Sequence, residues 1–540
     1  MKHLKHRFYF GCIAIALLFG ACKKSFLDRV PKDKLVAANF YQNTGEIMAG
    51  TAPLYNIVWH AYNDKAANAI GDGRGGTLLA RGYKDIEMNT TATSPENANS
   101  WASFFNTVGQ ANSVISNVNT YAPASVPQEI KNQAIAEARF MRGLAYSFLV
   151  QNWGPVPIIT NNNTLLKDTT ITRNTVESIW EFIIRDLRYA AQNLPVVAAK
   201  PGRITRFTGQ GMLARMFLIR SGVGQSLSRK QIDLDSARFY AKEVIDNSGA
   251  ALLPDYNDLF MMKNNNNKES LFALQWVYNG AWGTQNTVQA QLAFSPSITG
   301  FLDGWGTSSP SLDQLYRYET DDRRRKATFM YYGDHYPYIH QKVSDPANPG
   351  QSILKELDVP NLGPAYIKKY VVGRPEDNDG KVVFMGTEIN TYMLRLAEVY
   401  LIYAEAILGN STSTSDSEAL KYFNMVRTRA GVLPKTVINW DDLYNERRLE
   451  FAMEGQAWYQ MTRLHYYDPQ KAYTILSGQD RGSYRIDPNT TTKATSWTIK
   501  PLIERKIQVS DANFMLPIPA GELTIAPNLR KTPIPYDFNK

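Results

Sequence analysis

The chain has 540 residues, with 59 Lys and Arg against 50 Asp and Glu, 44% hydrophobic residues and 12% aromatic residues. This balance excludes an intrinsically disordered chain, and the ordinary usage of Gly and Pro excludes a collagen-like one. The two cysteines, Cys12 and Cys22, are too few for a disulfide framework or a cysteine-based zinc site.

The N-terminal segment has the pattern of a secretory signal. Three cations precede an uncharged apolar stretch over 8–21, which is shorter than the roughly 20 residues that span a bilayer. The sequence Leu-Phe-Gly-Ala-Cys ending at Cys22 resembles a lipoprotein lipobox, which predicts cleavage of residues 1–21 and acylation of Cys22. The alternative is a plain signal peptide with an incidental cysteine. Without 1–21 the net charge is +6, which does not indicate nucleic-acid binding. We therefore expect a soluble body anchored in membrane lipid through Cys22.

Apolar residues at helical spacing predict that most of the regular structure is α-helical. The segment 391–408 is apolar on nearly all sides, which predicts a helix buried on several faces. Another helix is expected to begin at a cap formed by Asn174 with Glu177 and to end before Pro195. The remaining predicted helices cover 101–118, 128–153, 208–219, 236–245 and 439–463.

Polar, irregular segments separate these helices. Residues 70–99 are rich in Gly, Asn and Thr, and 263–311 contain four consecutive asparagines and many aromatic residues. The Asp-Asn-Asp-Gly sequence at 377–380 predicts a turn, with a hairpin on both sides of it over 366–385. From 516 onward, repeated prolines predict a segment that wraps the body without regular structure.

Several motifs in a fixed order resemble those of one protein family. Glu-Ala-Arg-Phe occurs at 137–140, and Trp-Gly-Pro-Val-Pro follows at 153–157. Further matching segments lie at 25–28, 202–205, 395–406, 446–451 and 516–519. On these motifs the chain resembles the SusD/RagB family of surface nutrient-binding lipoproteins of Bacteroidetes.

The resemblance implies an all-α fold with a tetratricopeptide-like scaffold of helix pairs. The expected layout is a signal peptide over 1–21 and one domain over 22–540. In that domain the scaffold occupies mainly 35–250 and 388–465, a loop-rich ligand-binding lobe with a minor β-hairpin occupies 255–387, and a C-terminal wrap occupies 466–540.

The resemblance also implies the function. Family members capture oligosaccharides, or in some cases peptides or other nutrients. They act as a lid on a SusC-like TonB-dependent transporter in the outer membrane, facing outward, and they neither catalyse a reaction nor need a cofactor. The sequence does not decide between a glycan and a peptide.

Aromatic residues in polar loops are the main candidates for ligand contact. Trp276, Tyr278, Trp282 and Trp305 lie among Gly, Asn, Gln and Thr. Aromatic planes can stack on the C–H faces of sugar rings while amides bond the hydroxyl groups. The alternative for each is a place in the core, since Trp is usually well buried. Trp101 is a weaker candidate because it opens a predicted amphipathic helix.

The glycine-rich segment 71–76 fits the spacing GxGxxG, but no strand precedes it, so a dinucleotide site is not expected. A flexible loop that presents Asp72 and Arg74 to a ligand is the functional interpretation, because Asp accepts and Arg donates hydrogen bonds to sugar hydroxyls. The alternative is a plain connection.

Three carboxylates, Glu446, Glu450 and Glu454, are spaced four residues apart. A pair of carboxylates could act in glycoside hydrolysis. Adjacent arginines favour a structural charge network between helices, so we predict no catalytic residue. No metal-ligand cluster is expected, since 377–380 lacks the downstream Glu of a calcium loop. A module that caps the transporter without touching ligand remains open as a further alternative.

Overall fold

The computed structural model describes residues 37–80, 82–165, 170–361, 363–488 and 497–539. The predicted signal segment over 1–21 and the predicted acylation site Cys22 lie outside these residues. Ten helices of nine or more residues are described besides a π-helix at Tyr62–Arg74. They are α1 (Pro95–Tyr121), α2 (Gln128–Trp153), α3 (Val176–Asn193), α4 (Arg206–Arg220), α5 (Gln231–Asn247), α6 (Leu396–Leu408), α7 (Ser417–Ala430), α8 (Trp440–Glu450), α9 (Ala457–His465) and α10 (Pro469–Gly478).

The helices form an array in which each packs against the next along the chain, from α1 through α7. The predicted helix 128–153 is confirmed as α2, which ends at Trp153 and is followed by Gly154 with φ +64°. Asn439 caps α8: its side chain accepts a hydrogen bond from the Asp442 amide, and the Asp442 side chain accepts one from the Asn439 amide. The predicted cap at Asn174 is wrong by one residue, because Thr175 accepts the hydrogen bond from the amide of Ser178.

Short antiparallel strand pairs supply the β structure. Among the described residues they are Leu78–Ala80 with Ser308–Pro310, Ser270–Leu274 with Thr391–Arg395, Phe329–Met330 with Tyr366–Ile367, His335–Ser344 with Ser352–Asp358, Val382–Val383 with Gly386–Thr387, Ser413–Thr414 with Ile438–Asn439, and Ser483–Pro488 with Trp497–Ile503.

Two predicted helices need correction. The segment 391–408 begins as a strand, because Thr391–Arg395 pairs with Ser270–Leu274, and only Leu396–Leu408 is helical. The segment 439–463 is divided into α8 and α9, because Met453 and Gly455 take φ of +65° and +69° in the connection. A left-handed backbone conformation is incompatible with a continuous right-handed helix.

Two predicted irregular segments also differ. The hairpin over 366–385 is wrong, since Tyr366–Ile367 pairs with Phe329–Met330 instead and only Val382–Val383 with Gly386–Thr387 forms a hairpin. The predicted loop at 71–76 begins as the last turn of the π-helix. The C-terminal segment lies against the helices, where the Leu516 amide donates to the Asn152 carbonyl at 2.7 Å. It contains a short α-helix, Ala520–Ile525, and a short 3-10 helix, Pro527–Arg530, so it is not wholly irregular.

The apolar interior has two parts. The larger cluster lies within the helical array, and the smaller one lies under the strands and loops of 253–392 together with Tyr484 and Ile486. The loop-rich lobe therefore has its own core, which can hold surface loops in fixed positions.

Candidate ligand-binding surface

Five aromatic side chains are exposed on the loop-rich lobe. One of them, Tyr316, is 58% exposed and follows the short helix Leu312–Leu315, and the other four lie on loops that hydrogen bonds join to one another. Tyr278 is 42% exposed, Trp282 59%, Trp305 43% and Phe384 52%. We call these four residues the aromatic surface. Large aromatic groups left in water on a folded protein often mark a binding site.

Local hydrogen bonds fix the loop that carries Tyr278 and Trp282. The Val277 amide donates to the Thr284 carbonyl at 3.0 Å and closes the loop. The Trp282 ring meets the His60 ring edge-on, with centroids 5.4 Å apart. The indole is therefore supported on one side while more than half of its surface stays in solvent.

Trp305 is positioned by a second set of contacts. The amides of Gly304 and Trp305 both donate to the Ala290 carbonyl, at 3.0 and 3.1 Å. Gly304 has φ +83°, and a Cβ there would lie 2.7 Å from the Ser295 carbonyl oxygen, so this turn requires glycine.

The hairpin that carries Phe384 connects these two loops. Asn286 and Thr387 exchange backbone hydrogen bonds of 2.9 Å, and a carboxylate oxygen of Asp303 accepts from the Met385 amide at 2.7 Å. Phe384 was not among the residues predicted from the sequence. The available signal was an aromatic residue at the tip of a two-residue turn, where a side chain has little chance of burial.

Polar groups join the lobe to the π-helix. Asp64 accepts from the Thr287 hydroxyl at 2.6 Å, and the Gln291 amide nitrogen donates to the Asp64 carbonyl. The Tyr83 hydroxyl donates to Gln291 Oε1 at 2.6 Å. Gln291 is buried and both groups of its amide are engaged, so it positions Asp64 and Tyr83. Those two side chains are partly exposed next to the loops of the aromatic surface, where they could bond ligand hydroxyls.

Two tryptophans proposed for ligand contact belong to the core. Trp276 is 1% exposed, and its indole N–H donates to Thr391 Oγ1 at 3.0 Å. Trp101 is buried in α1 with its ring edge-on to Trp153 at 5.3 Å. Neither can present a ring face to a ligand in this structure, which corrects the expectation for both.

Asp72 and Arg74 are also buried, so the expectation that a loop exposes them is corrected. Asp72 accepts from the amides of Met453 and Gly455 at 3.2 and 2.7 Å. Burial raises its pKa to about 7, although the Gly455 amide and Lys369 oppose that rise. Arg74 lies over the Trp458 ring at 4.6 Å, and burial lowers the pKa of its guanidinium to about 10. Both side chains join the π-helix to the α8–α9 region.

The carboxylates at 446, 450 and 454 form the structural charge network that was predicted. Arg324 bonds Glu446 at 2.6 Å, and Arg429 and Arg395 bond Glu450 at 2.5 and 3.0 Å. Arg395 also bonds Glu454 at 2.8 Å. Burial alone would raise the pKa of Glu450, but Arg429, Arg395 and Arg324 outweigh burial and lower it to about 2.

Across the described ranges, no group of three or more His, Cys, Asp or Glu side chains is arranged to hold a metal ion. In the same ranges, none of the helices has the length and apolar character needed to cross a bilayer.

Comparison with known proteins identifies the family. A profile described as SusD family matches residues 245–534, and one described as starch-binding associating with outer membrane matches 26–218. A SusD-like protein of Bacteroides ovatus is 40% identical over 97% of both chains. The chain belongs to the SusD family. The predicted SusD/RagB resemblance and the mostly α-helical fold are both confirmed.

Further members and solved structures agree with this membership. A SusD-like protein of Formosa agariphila, P2, is 26% identical over 83% of this chain and 89% of its own. A protein whose crystal structure was solved with xylogluco-oligosaccharide has 38% sequence identity to this chain. The two structures superpose with a TM-score of 0.82 over 92% of this chain and 100% of that one. A SusD superfamily protein from Parabacteroides distasonis shares the fold at 20% identity, with a TM-score of 0.66 over 92% of this chain and 99% of its own.

Proposed function

We propose that this SusD-family chain captures a glycan on the aromatic surface and delivers it to a SusC-like TonB-dependent transporter without catalysing a reaction. The observation that carries the proposal is the set of exposed rings of Tyr278, Trp282 and Trp305 on hydrogen-bonded loops. A relative at 38% identity has been crystallised with xylogluco-oligosaccharide, so this class of sugar is the first ligand to test.

Stacking on exposed rings suits a binding protein that must also release its ligand. Hydrogen bonds fix the loops that carry these rings before binding, so little conformational freedom is lost in ordering them when a sugar binds. The polar groups of Asp64 and Tyr83, which the buried Gln291 holds in place, would orient the ligand through hydrogen bonds to its hydroxyl groups. A small number of such bonds gives moderate affinity, which suits hand-over to a transporter.

The charge network supports a role without catalysis. Glycoside hydrolysis needs one carboxyl group that is protonated near neutral pH and close to the scissile bond. Glu450 has its pKa lowered to about 2 by arginines and is buried with its partners Arg395 and Arg429. Such a group can neither donate a proton at neutral pH nor reach a surface-bound sugar.

The lipid anchor belongs to the same proposal. Acylation of Cys22 would tether the body to the outer membrane, facing outward, beside the transporter. Several acyl chains are needed for stable anchoring, since each buried methylene contributes about 0.8 kcal/mol. Metabolic labelling with a fatty-acid probe, compared between wild type and Cys22→Ser, tests the anchor separately from ligand binding.

The decisive experiment is calorimetric titration of the protein without its first 22 residues against xylogluco-oligosaccharide, other glycans and a peptide pool. We expect saturable glycan binding that weakens at least tenfold in Trp282→Ala and in Trp305→Ala. Phe239→Ala is the matched control, because Phe239 is an exposed aromatic residue on α5, outside the lobe. Binding of peptides but not glycans, or equal glycan affinity in all variants, would overturn the proposal. Copurification with a SusC-like transporter tests delivery.

A further inference from the structure

An open groove begins beside the Trp305 end of the aromatic surface. Its volume is about 960 Å³, near the upper end of the roughly 300–1,000 Å³ range of known ligand pockets. Gly306 and Thr307, the two residues after Trp305, line it together with Tyr83. None of the four residues of the aromatic surface contributes to its lining, so the groove extends that surface without being part of it.

The walls of the groove are held in place by backbone and side-chain hydrogen bonds. One wall contains the strand pair Leu78–Ala80 with Ser308–Pro310. The opposite wall contains Arg481 and Tyr484, and the Tyr484 hydroxyl donates to the Pro310 carbonyl at 2.9 Å. The two walls are therefore joined before any ligand binds, which lowers the entropy cost of binding there.

The lining of the groove carries more positive than negative charge. Its charged residues, within the described parts of the chain, are Lys84, Glu87, Arg481 and Arg505. The single carboxylate among them is engaged, since Arg505 Nη2 lies 2.6 Å from Glu87 Oε1. Lys84 is exposed and forms no ion pair with any described residue. Two cations, Lys84 and Arg481, are thus left without a carboxylate partner.

Arg481 is the buried one of these two cations, with 4% of its surface exposed. In the described structure its hydrogen bonds go only to neutral oxygens, those of Gly73, Arg74, Ile86 and Gln479. Burial, together with Arg448 and Arg74, lowers its pKa to about 9, so it remains charged at neutral pH. A charge behind a wall of low dielectric acts on a ligand through its field, without direct contact.

Two carboxylates near this wall lie outside the lining and are engaged elsewhere. Asp313 forms ion pairs with Arg317 and Arg448. Asp480 accepts hydrogen bonds from the amides of Gly482 and Arg505 at 2.8 and 2.9 Å. The positive charge of Lys84 and Arg481 is therefore available to a ligand in the groove.

We propose that the groove binds a segment of glycan that carries an anionic oxygen group, either a carboxylate or a sulfate ester, beside Lys84. The inference rests on the proposed function, because a glycan stacked on Trp305 would continue past Gly306 and Thr307 into the groove. Neutral sugar rings could occupy the same space, but only an anionic group gains from the field of Lys84 and Arg481. The groove therefore selects acidic glycans over neutral ones.

Matched ligands test this selectivity. Calorimetry compares xylogluco-oligosaccharide with the same oligosaccharide after oxidation of primary hydroxyls to carboxylates, and with a sulfated form. At low ionic strength we expect at least one acidic form to bind about two- to fivefold more tightly than the neutral one. The gain should shrink in high salt, because salt screens exposed charges. The two acidic forms separate a carboxylate from a sulfate as the preferred group.

Two lysine variants locate the effect. The ratio of acidic to neutral affinity should fall towards one in Lys84→Gln. It should stay at its wild-type value in Lys342→Gln, the matched control, because Lys342 is an exposed lysine on the strand His335–Ser344, outside the groove. Both positions are exposed, so neither change should disturb folding.

The outcomes separate this inference from the proposed function. Equal affinities for the neutral and both acidic forms, with neutral binding still dependent on Trp282, would overturn the groove inference alone. A gain that Lys84→Gln leaves intact would do the same, as would a gain that Lys84→Gln and Lys342→Gln reduce equally, since that would reflect the net charge of the chain. If no form of the glycan binds, the proposed function fails and this inference fails with it.

Discussion

The carboxylate of Asp72 accepts a hydrogen bond of 2.7 Å from the backbone amide of Gly455, and this contact joins the π-helix to the connection between α8 and α9. The two segments approach so closely that a Cβ on Gly71 would lie 2.3 Å from the Gly455 carbonyl oxygen. Glycine-rich residues 71–76 therefore serve close packing of backbone against backbone.

We expect Gly71→Ala to destabilise the protein by several kcal/mol, because the obstacle is backbone, which cannot move aside as a side chain can. Gly109→Ala is the matched control, since Gly109 lies inside α1 and a Cβ there meets nothing within 4 Å. That change should stabilise the protein by up to about 1 kcal/mol. Urea unfolding of both variants measures the difference, and equal effects would contradict the packing explanation.

Asp72 should also give the protein a specific pH dependence. Burial raises its folded-state pKa from 3.8 to about 7, so the folded state binds a proton more tightly than the unfolded state does. Its contribution is fully favourable below pH 3.8 and is lost as pH rises through about 7. Between pH 7 and pH 5, wild type should gain about 2 kcal/mol of unfolding free energy relative to Asp72→Asn.

The control for this titration is Asp345→Asn, at an exposed carboxylate whose pKa is lowered by hydrogen bonds from Asn348 and the Ala347 amide. Its difference from wild type should stay constant between pH 7 and pH 5, since that carboxylate is ionised throughout. A constant difference for Asp72→Asn as well would mean that Asp72 stays ionised in the folded protein.

Sequence patterns predicted what local interactions determine. Helix α2 was predicted to its end residues because its apolar spacing and the following Gly154 lie within one segment. The strand Thr391–Arg395 was missed because its partner, Ser270–Leu274, is more than 100 residues away. A helical spacing in the sequence cannot reveal a competing strand partner at that separation.

The candidate site shows the same limit. Trp276 and Trp282 are six residues apart in a segment of uniform composition, yet one is buried and the other exposed. Thr391 accepts a hydrogen bond from the indole of Trp276, whereas Trp282 packs edge-to-face with the His60 ring and stays 59% exposed. Both partners are distant in sequence, so the aromatic composition predicted a site but not which rings reach solvent.

We expect the charge network to stabilise the fold. Within it, Glu450 forms ion pairs with three arginines. Glu450→Gln would leave the buried cations Arg395, Arg429 and Arg324 without their shared anion, which we expect to cost about 3–5 kcal/mol. Because its folded pKa is lowered from 4.5 to about 2, the wild-type contribution is present above pH 4.5 and is lost as pH falls towards 2.

Denaturant unfolding at pH 7 measures this cost. The control is Glu181→Gln, which removes a partly exposed partner of Arg185 and Arg220 and should change stability by less than about 1 kcal/mol. A Glu450→Gln variant as stable as wild type but altered in turnover of a bound glycan would instead revive the hydrolase interpretation.

Trp276 and Trp282 provide the sharpest test of which rings serve folding and which serve binding. Trp276→Ala removes a buried ring and its hydrogen bond to Thr391, and should lower the unfolding free energy by about 3–5 kcal/mol. Trp282→Ala removes an exposed ring whose contact with His60 contributes about 1 kcal/mol or less. Its main effect should be a loss of glycan affinity of tenfold or more.

Trp276→Phe is the conservative control. It keeps most of the buried volume, so it should restore much of the stability and bind glycan with nearly wild-type affinity. If Trp276→Phe lost affinity as strongly as Trp282→Ala, the buried indole would be a positioning residue for the surface, acting through the His60 ring that contacts both tryptophans.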